Sequence, residues 1–499
     1  MKKNYGSSAN SLYVRLEKPV TFVHTVPPEK YPPPGKPLSP HTTHYVLKSG
    51  THAIFTHHKS GTTAMFRHIT NDLLAWKNTY PRKPLILKGV RQCGKTWILK
   101  DFAAKNFKDT AYFTFEGDRT LQNIFERNLD PDRILRELSD LRRKKIDEKN
   151  TAVIFDEIQF CPNALTSLKY FCEQKPDLAI LCAGSLLGTA LAKPLSFPVG
   201  KVTFLTLCPM DFAEFLLANN EEYLADALAK PLSPTLVEEL QPWWRDYIFT
   251  GGMPEAVLAW TKTHAKNKVD AILENILNGY ELDFAKHAPA ADFPKLSALW
   301  REIPNQLAKE NRKFVYANVI KTGRARSLSG ALEWLISAGM VYKIDAIDKP
   351  LYPLSAASGA ASFKVYLCDV GLLRKMSRFP AEEIFSGAHE YSYLRGAIAE
   401  NFVLTQLMAH TGDPVYYWKS GNKAEVEFVI QEGKHIIPVE VKAGTRTGGK
   451  SLAVYRERFC PEYAVRFSLK NAGEAEDEYG TLLLLPLFCA GHLKNLLAG

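Results

Sequence analysis

Residues Lys83–Thr96 read Lys-Pro-Leu-Ile-Leu-Lys-Gly-Val-Arg-Gln-Cys-Gly-Lys-Thr. Leu85, Ile86 and Leu87 form a short apolar run, which predicts a buried strand. Gly89, Gly94, Lys95 and Thr96 fit G-x-x-x-x-G-K-[ST], and the run from Trp97 to Phe107 is helix-compatible. Strand, Gly-rich loop, helix is the order that a phosphate-binding loop requires. The glycines let the backbone N–H groups of Gly89, Val90, Arg91, Gln92, Cys93 and Gly94 turn inward to cradle phosphate oxygens. The helix N-terminus adds its partial positive charge. Lys95 then reaches the β/γ-phosphates, and the Thr96 hydroxyl ligates Mg²⁺. ATP and Mg²⁺ are the expected ligands.

Outward from this loop, Ala111–Phe115 predicts a second strand and Ala152–Phe155 a third, continuous and apolar as buried parallel strands are. The third ends in Asp156-Glu157. An apolar strand delivering two acids is a weak signal alone and a strong one some sixty residues after a phosphate loop. Asp156 is expected to hold Mg²⁺ opposite Thr96, and Glu157 to polarise the attacking water. Leu178–Ala183 is the next strand; it runs into Gly184-Ser185, either a γ-phosphate sensor or a turn serine. Val202–Leu207 is another. Strands alternating with helices from 85 to 215 predict an α/β fold with a parallel sheet and right-handed crossovers, its ligand at the carboxyl ends of the strands.

The chain has 499 residues and a formal net charge of +10. That length suits two to four domains. The charge is compatible with an anionic partner such as DNA, but it is diffuse. The eight cysteines include no C-x-x-C pair and no histidine at zinc spacing, so they read as reduced thiols of a cytoplasmic protein. The N-terminus lacks the apolar stretch of a signal peptide, and no run of about 18 apolar residues predicts a membrane span.

Residues 1–60 are punctuated by prolines and read as a flexible leader. Residues 61–215 are the phosphate-loop core and 216–312 a helical lid region, with one long helix interrupted or restarted at Pro242. The basic run Arg142-Arg143-Lys144-Lys145 reads as a solvated face. Residues 313–380 place helices before a two-stranded wing, Met340–Asp345 with Phe363–Leu367, as in a winged helix; Arg324 and Arg326 precede its last helix. A further α/β unit fills 390–499. In it Glu427 lies on one strand and Glu440-x-Lys442 on the next. Such a set either shares Mg²⁺ as in a metal-dependent nuclease, with Glu400 as an outer carboxylate from a helix, or forms a cross-strand surface salt bridge.

The words LILKGVRQCGKT (85–96), VIFDEIQ (153–159), AGSLLG (183–188), GGMPE (251–255), FKVYLCDVGLL (363–373), GAIAENFV (396–403), YWKSGNKAEVEFVI (417–430) and PVEVKAG (438–444) occur in the order seen in a prokaryotic family. The chain resembles ATPases that join an AAA+-like P-loop module to a winged helix and a C-terminal domain of unknown function related to restriction endonucleases. The resemblance covers about residues 65–470. It implies ATP binding by the loop, Mg²⁺ at Thr96 and Asp156, a catalytic Glu157 and a polar sensor at Ser185. Members usually carry arginine where Lys201 stands, as a trans-acting finger, and aspartate where Glu427 stands. The expected activity is ATP hydrolysis coupled to DNA or partner binding, with nucleotide-dependent self-association open. A nucleotide-gated binding protein with little turnover, or an ATP-regulated nuclease, are the alternatives. Lys95→Ala is expected to abolish nucleotide binding.

Overall fold

A computed structural model describes residues 45–46, 52–53, 65–184, 198–309, 312–320, 325–357, 359–380, 392–421, 424–444 and 449–498. Two compact units result, 1–62 and 63–499. In the first, Tyr45–Val46 pairs antiparallel with His52–Ala53; the remainder of the expected leader lies outside the described residues.

The second unit begins with α1 (Ile69–Asn78), which buries Ile69, Leu73 and Trp76 as its helical spacing predicts. Five strands follow: β1 (Leu85–Lys88), β2 (Asp109–Thr114), β3 (Thr151–Asp156), β4 (Ala179–Ala183) and β5 (Thr203–Thr206). They form one all-parallel sheet in the order β2-β3-β4-β1-β5. β1, β3 and β4 are buried on both faces, so successive residues enter opposite cores. Leu85, Leu87 and Ile154 join a large core with α2 (Lys95–Asn106), while Ile86, Val153 and Phe155 pack with α3 (Arg119–Arg127), α4 (Pro131–Leu141) and α5 (Pro162–Gln174).

Helices then dominate: α6 (Phe212–Ala218), α7 (Glu222–Ala227), α8 (Pro234–Thr250), α9 (Pro254–Thr263), α10 (Lys266–His287) and α11 (Phe293–Leu307). α8 runs unbroken through Pro242, against the expected interruption. It ends at Gly251, beyond which Gly252 crosses the chain at Met210. There Met210 N–H donates to the Gly252 carbonyl (2.7 Å), and Gly252 N–H donates to Asp369 Oδ2 (2.6 Å). The GGMPE and CDVGLL words thus meet in space, over a hundred residues apart.

After α12 (Tyr316–Val319) and α13 (Ala325–Ser337), strands β6 (Val341–Ile347) and β7 (Gly359–Leu367) pair antiparallel, as the wing reading predicts. They are not an isolated wing. β6 also pairs parallel with β8 (Tyr416–Ser420), and through it joins β9 (Ala424–Glu432), β10 (His435–Val441), β11 (Tyr463–Ser468), β12 (Gly473–Asp477) and β13 (Gly480–Pro486). The result is one eight-stranded mixed sheet, β12-β13-β11-β10-β9-β8-β6-β7. The strands of 313–380 and of 390–499 thus share one hydrogen-bonded ladder. α14 (Val370–Met376) and α15 (Ser392–His410) lie between β7 and β8 in the chain, and α16 (Lys450–Phe459) covers Trp418 on the outer face; α17 (Leu493–Ala498) closes the described chain.

Candidate functional site

β1 delivers the loop Gly89–Gly94, and α2 starts at Lys95. Gly89 (φ +149°) and Gly94 (φ +95°) hold conformations that side-chain-bearing residues rarely adopt, and a Cβ on Gly89 would overlap the Leu207 carbonyl oxygen. The Lys95 ammonium is buried within the loop, donating to the carbonyls of Gly89 (2.9 Å) and Val90 (2.8 Å). That buried cation, a positive-φ loop and the first turn of a helix bearing no acidic residue make a cradle fitted to anionic phosphate.

β3 brings Asp156 to the same mouth. Thr96 Oγ1 donates to Asp156 Oδ2 at 2.9 Å, joining residues sixty positions apart. A hydroxyl and a buried carboxylate in contact are a donor set suited to Mg²⁺. Asp156 Oδ2 also accepts from the Tyr112 hydroxyl at 2.8 Å, while Oδ1 accepts from Glu157 N–H at 3.1 Å. Burial and the Asp156 carboxylate push the Tyr112 phenol far up, so it stays a donor. Sequence reading missed Tyr112. Its signal was parity: β2 and β3 run in register with Thr114 opposite Asp156, so Tyr112, two residues earlier, shares the Asp156 face. Glu157 sits just past the strand tip at φ +49°, its carboxylate accepting from Gln159 Nε2. Ser185 lies outside the described residues, two positions past the end of β4.

The loop is braced from outside the sheet. Arg67 donates to the carbonyls of Cys93 (3.1 Å) and Cys208 (2.5 Å) and pairs with buried Glu214 (3.0 Å). From α10, Tyr280 OH donates to the Arg91 carbonyl (2.9 Å) and Asp283 pairs with the Arg91 guanidinium. Gly339, at the turn into β6, lies so close that a Cβ there would stand 3.3 Å from Val90 N. Cys93 is buried, its thiol on the Leu207 carbonyl (3.4 Å). Lys201 is elsewhere: it precedes β5, where Thr203 N–H bonds Pro84, at the end of the sheet opposite the loop, and it pairs with Glu173 at 2.9 Å.

The second constellation also assembles, differently from expectation. Glu427 on β9 faces the charges of Glu400, Lys442, Lys364 and Glu440, and Val441 N–H donates to it at 3.3 Å. The two oxygens of Glu400, expected as an outer metal carboxylate, accept from Arg312 and from Tyr366 OH (3.0 Å). Glu440 is buried between Arg466 Nε (2.6 Å) and Lys442 Nζ (3.1 Å), and Gly449 closes over it. Lys364 pairs with Glu425 at 2.5 Å. Four carboxylates thus meet four cations, which leaves little net negative charge to attract Mg²⁺. Among the described residues these carboxylates form no group of three with ligand atoms together. The neutralising partners come from distant segments, which strand spacing does not reveal.

Burial first, then the Glu400 charge, pushes the Glu427 carboxyl up to about 7 from an ordinary 4.5. The folded chain keeps this proton while the unfolded chain releases it. Its contribution to stability is therefore complete below pH 4.5 and lost as pH rises through 7. Glu427→Gln removes that loss. Thermal denaturation is expected to show the variant equal to wild type at pH 4.5 and more stable by about 2 kcal/mol at pH 8, partial exposure keeping the gain modest. A difference independent of pH would contradict the assignment.

In the basic run, Arg143, Lys144 and Lys145 are exposed, as a solvated face predicts. Arg142 and Lys144 pair with Asp109 at 2.8 and 2.6 Å, and the side chains of Arg324 and Arg326 lie outside the described residues. No helix among the described residues is long and apolar enough to cross a membrane.

With this geometry in view, residues 81–216 match a family model described as an AAA domain. This segment has the parallel α/β fold of a P-loop ATPase. Residues 241–383 and 395–488 match two further models, DUF8612 and DUF4143, each described as a domain of unknown function. An uncharacterized protein of Methanocaldococcus jannaschii, MJ1544, is 25% identical over 371 residues, 72% of this chain and 75% of that one. Among solved structures, a Walker-type ATPase of Pyrococcus abyssi aligns with a TM-score of 0.40 and 14% identity, over 62% of this chain and 95% of that chain. Orc1 of Aeropyrum pernix, solved in complex with DNA, gives 0.29 and 13%, over 64% and 95%. The RuvB Holliday junction branch migration motor of Thermotoga maritima gives 0.29 and 15%, over 55% and 88%. The match at 81–216 coincides with the five-stranded parallel sheet, in which β4 is inserted between the loop strand β1 and the acidic strand β3.

Proposed function

We propose that the chain is an Mg²⁺-dependent cytoplasmic ATPase whose nucleotide state is passed to the C-terminal sheet and from there to a partner, with DNA the first class to test. The observation that carries the reading is the 2.9 Å contact between Thr96 and Asp156, with Glu157 next in the chain at the same mouth. Lys95 and the loop N–H groups hold the triphosphate. Thr96 and Asp156 hold Mg²⁺, which when bound neutralises phosphate charge. Tyr112 fixes the Asp156 carboxylate. Glu157 orients a water and accepts its proton as it attacks the γ-phosphate in line.

Coupling is supported by what touches the loop: α10 at Arg91 through Tyr280 and Asp283, and the turn into β6 at Val90 through Gly339. A change in loop conformation on binding reaches both. The C-terminal sheet is read as a docking platform rather than a nuclease, because Arg312 and Arg466 already occupy Glu400 and Glu440.

Lys95→Ala tests the binding half. Removing the buried ammonium is expected to weaken ATP binding at least about 100-fold, measured by calorimetric titration. Unchanged affinity would refute the loop assignment.

A further inference from the structure

The outer brace of the phosphate loop continues into the C-terminal unit. Arg67 Nη1 donates to the Cys93 carbonyl (3.1 Å), and Arg67 Nε donates to Glu214 Oε2 (3.0 Å). Glu214 N–H donates to Asp211 Oδ1 at 2.7 Å, and Asp211 N–H donates to Glu214 Oε2 at 3.2 Å. These are the two halves of a capping box at the start of α6. His410, the last residue of α15, donates from Nε2 to Asp211 Oδ2 at 2.9 Å. One turn earlier Gln406 accepts from Phe212 N–H at 2.8 Å, which seats α15 on α6. A continuous run of bonds thus joins the phosphate loop to a helix of the C-terminal unit.

The run is short of positive charge. Arg67, Asp211 and Glu214 are buried, and among the described residues Arg67 is the one permanent cation that pairs with either carboxylate. Buried carboxylates without full pairing are costly, so the second positive charge must come from an imidazole. His410 is the one in hydrogen-bond contact. Facing it are Asp211 and Glu214 from α6, His68 before α1 (ring centroids 5.6 Å apart) and His492 in the turn Leu487–His492 (5.7 Å). Burial works against a proton on His410, but the Asp211 bond and charge, then the Glu214 charge, outweigh it and raise His410 above ordinary histidine. Burial, then the charge of His410, pushes His492 down to about 4, so His492 stays neutral. Burial also raises Glu214 against the pull of Arg67, the same shortage felt at the other carboxylate. Because Asp211 holds the Nε2 proton, the proton that His410 gains or loses is on Nδ1. Its side chain is 26% exposed, which gives that proton a route to solvent.

We propose that nucleotide in the phosphate loop and a proton on His410 reinforce each other through this run of bonds, with Arg67 the positioning residue between them. The inference rests on the reading of the loop as a nucleotide site. Arg67 Nη1 stands 3.8 Å from where a Cβ on Gly94 would lie, so phosphate in the loop draws on the charge of Arg67. Asp211 and Glu214 are then less well neutralised, and His410 holds its proton more tightly. In return, protonated His410 strengthens the bond to Asp211 and steadies Arg67 on the Cys93 carbonyl. Linkage makes the two effects equal in size.

The full chain, labelled at histidine, is titrated by NMR in excess Mg²⁺, with and without the non-hydrolysable β,γ-imido analogue of ATP. The His410 ring signal is assigned by its loss in His410→Gln. Bound analogue is expected to raise the His410 pKa by at least about 0.5, and calorimetry to find the analogue at least about threefold tighter at about pH 6 than at about pH 8.5. His410→Gln keeps a donor for Asp211 but no titrating proton, and is expected to cut that ratio below about twofold. Arg67→Lys keeps the charge but cannot bond Glu214 and the Cys93 carbonyl together, and is expected to hold the pKa rise below about 0.2. A His410 pKa unmoved by bound analogue overturns the proposal and leaves the nucleotide site standing. So does a ratio unchanged in His410→Gln. The full rise surviving in Arg67→Lys removes Arg67 from the route. No binding of the analogue at any pH refutes the nucleotide site itself, and this proposal with it.

Discussion

Glu157→Gln is expected to keep ATP binding within a few-fold of wild type and to slow hydrolysis by about 10²–10⁴-fold, the usual range for losing a general base. Glutamine preserves the length of the side chain and its capacity to accept from Gln159 Nε2. The backbone N–H bond to Asp156 is untouched, so the carboxylate facing Thr96 stays in place. Only the charge that draws a proton from water is lost. The φ of +49° at this position is already tolerated by a side chain of this shape, so the substitution adds no new backbone cost. Steady-state turnover and nucleotide affinity, measured side by side, separate a lost base from a damaged site. Unchanged turnover would remove Glu157 from the mechanism.

Gly252→Ala is expected to destabilise the chain by at least about 3 kcal/mol without touching the nucleotide site. A Cβ at Gly252 would overlap the Met210 carbonyl oxygen. Met210 cannot move aside: its N–H is bonded to Gly252 and its carbonyl accepts from the Tyr247 hydroxyl at 2.6 Å. Asp369 on the far side pins Gly252 N–H, so the crossing is held from both directions. Gly330→Ala, in the exposed middle of α13 with open space around it, is the control and is expected to stabilise slightly. Denaturant midpoints of the two variants should move in opposite directions. Equal midpoints would mean that the crossing is looser than its bonds imply.

The candidate nucleotide site was legible because its parts are local. Strand, loop and helix are contiguous at 85–106, and Asp156-Glu157 ends a strand whose apolar run is unmistakable. What surrounds it was not. Arg67, Tyr280, Asp283 and Gly339 reach the loop from helices and turns that no spacing rule connects to it. The same holds for the C-terminal sheet. The hairpin of β6 and β7 follows from its own apolar runs, but its parallel pairing with β8 depends on a strand seventy residues later. Likewise Glu427, Glu440 and Lys442 were identifiable on neighbouring strands, while Arg312 and Arg466, which decide their electrostatics, were not.

The central claim is that the loop at Gly89–Thr96 and the acids at Asp156-Glu157 work together to hydrolyse ATP. The most direct test is single-turnover hydrolysis with protein in excess over ATP and Mg²⁺ present, with and without DNA. A rate well above spontaneous hydrolysis, lost in Lys95→Ala and in Glu157→Gln, is the predicted result. Tight ATP binding with a rate no faster than spontaneous hydrolysis would contradict it and leave the nucleotide as a switch rather than a fuel.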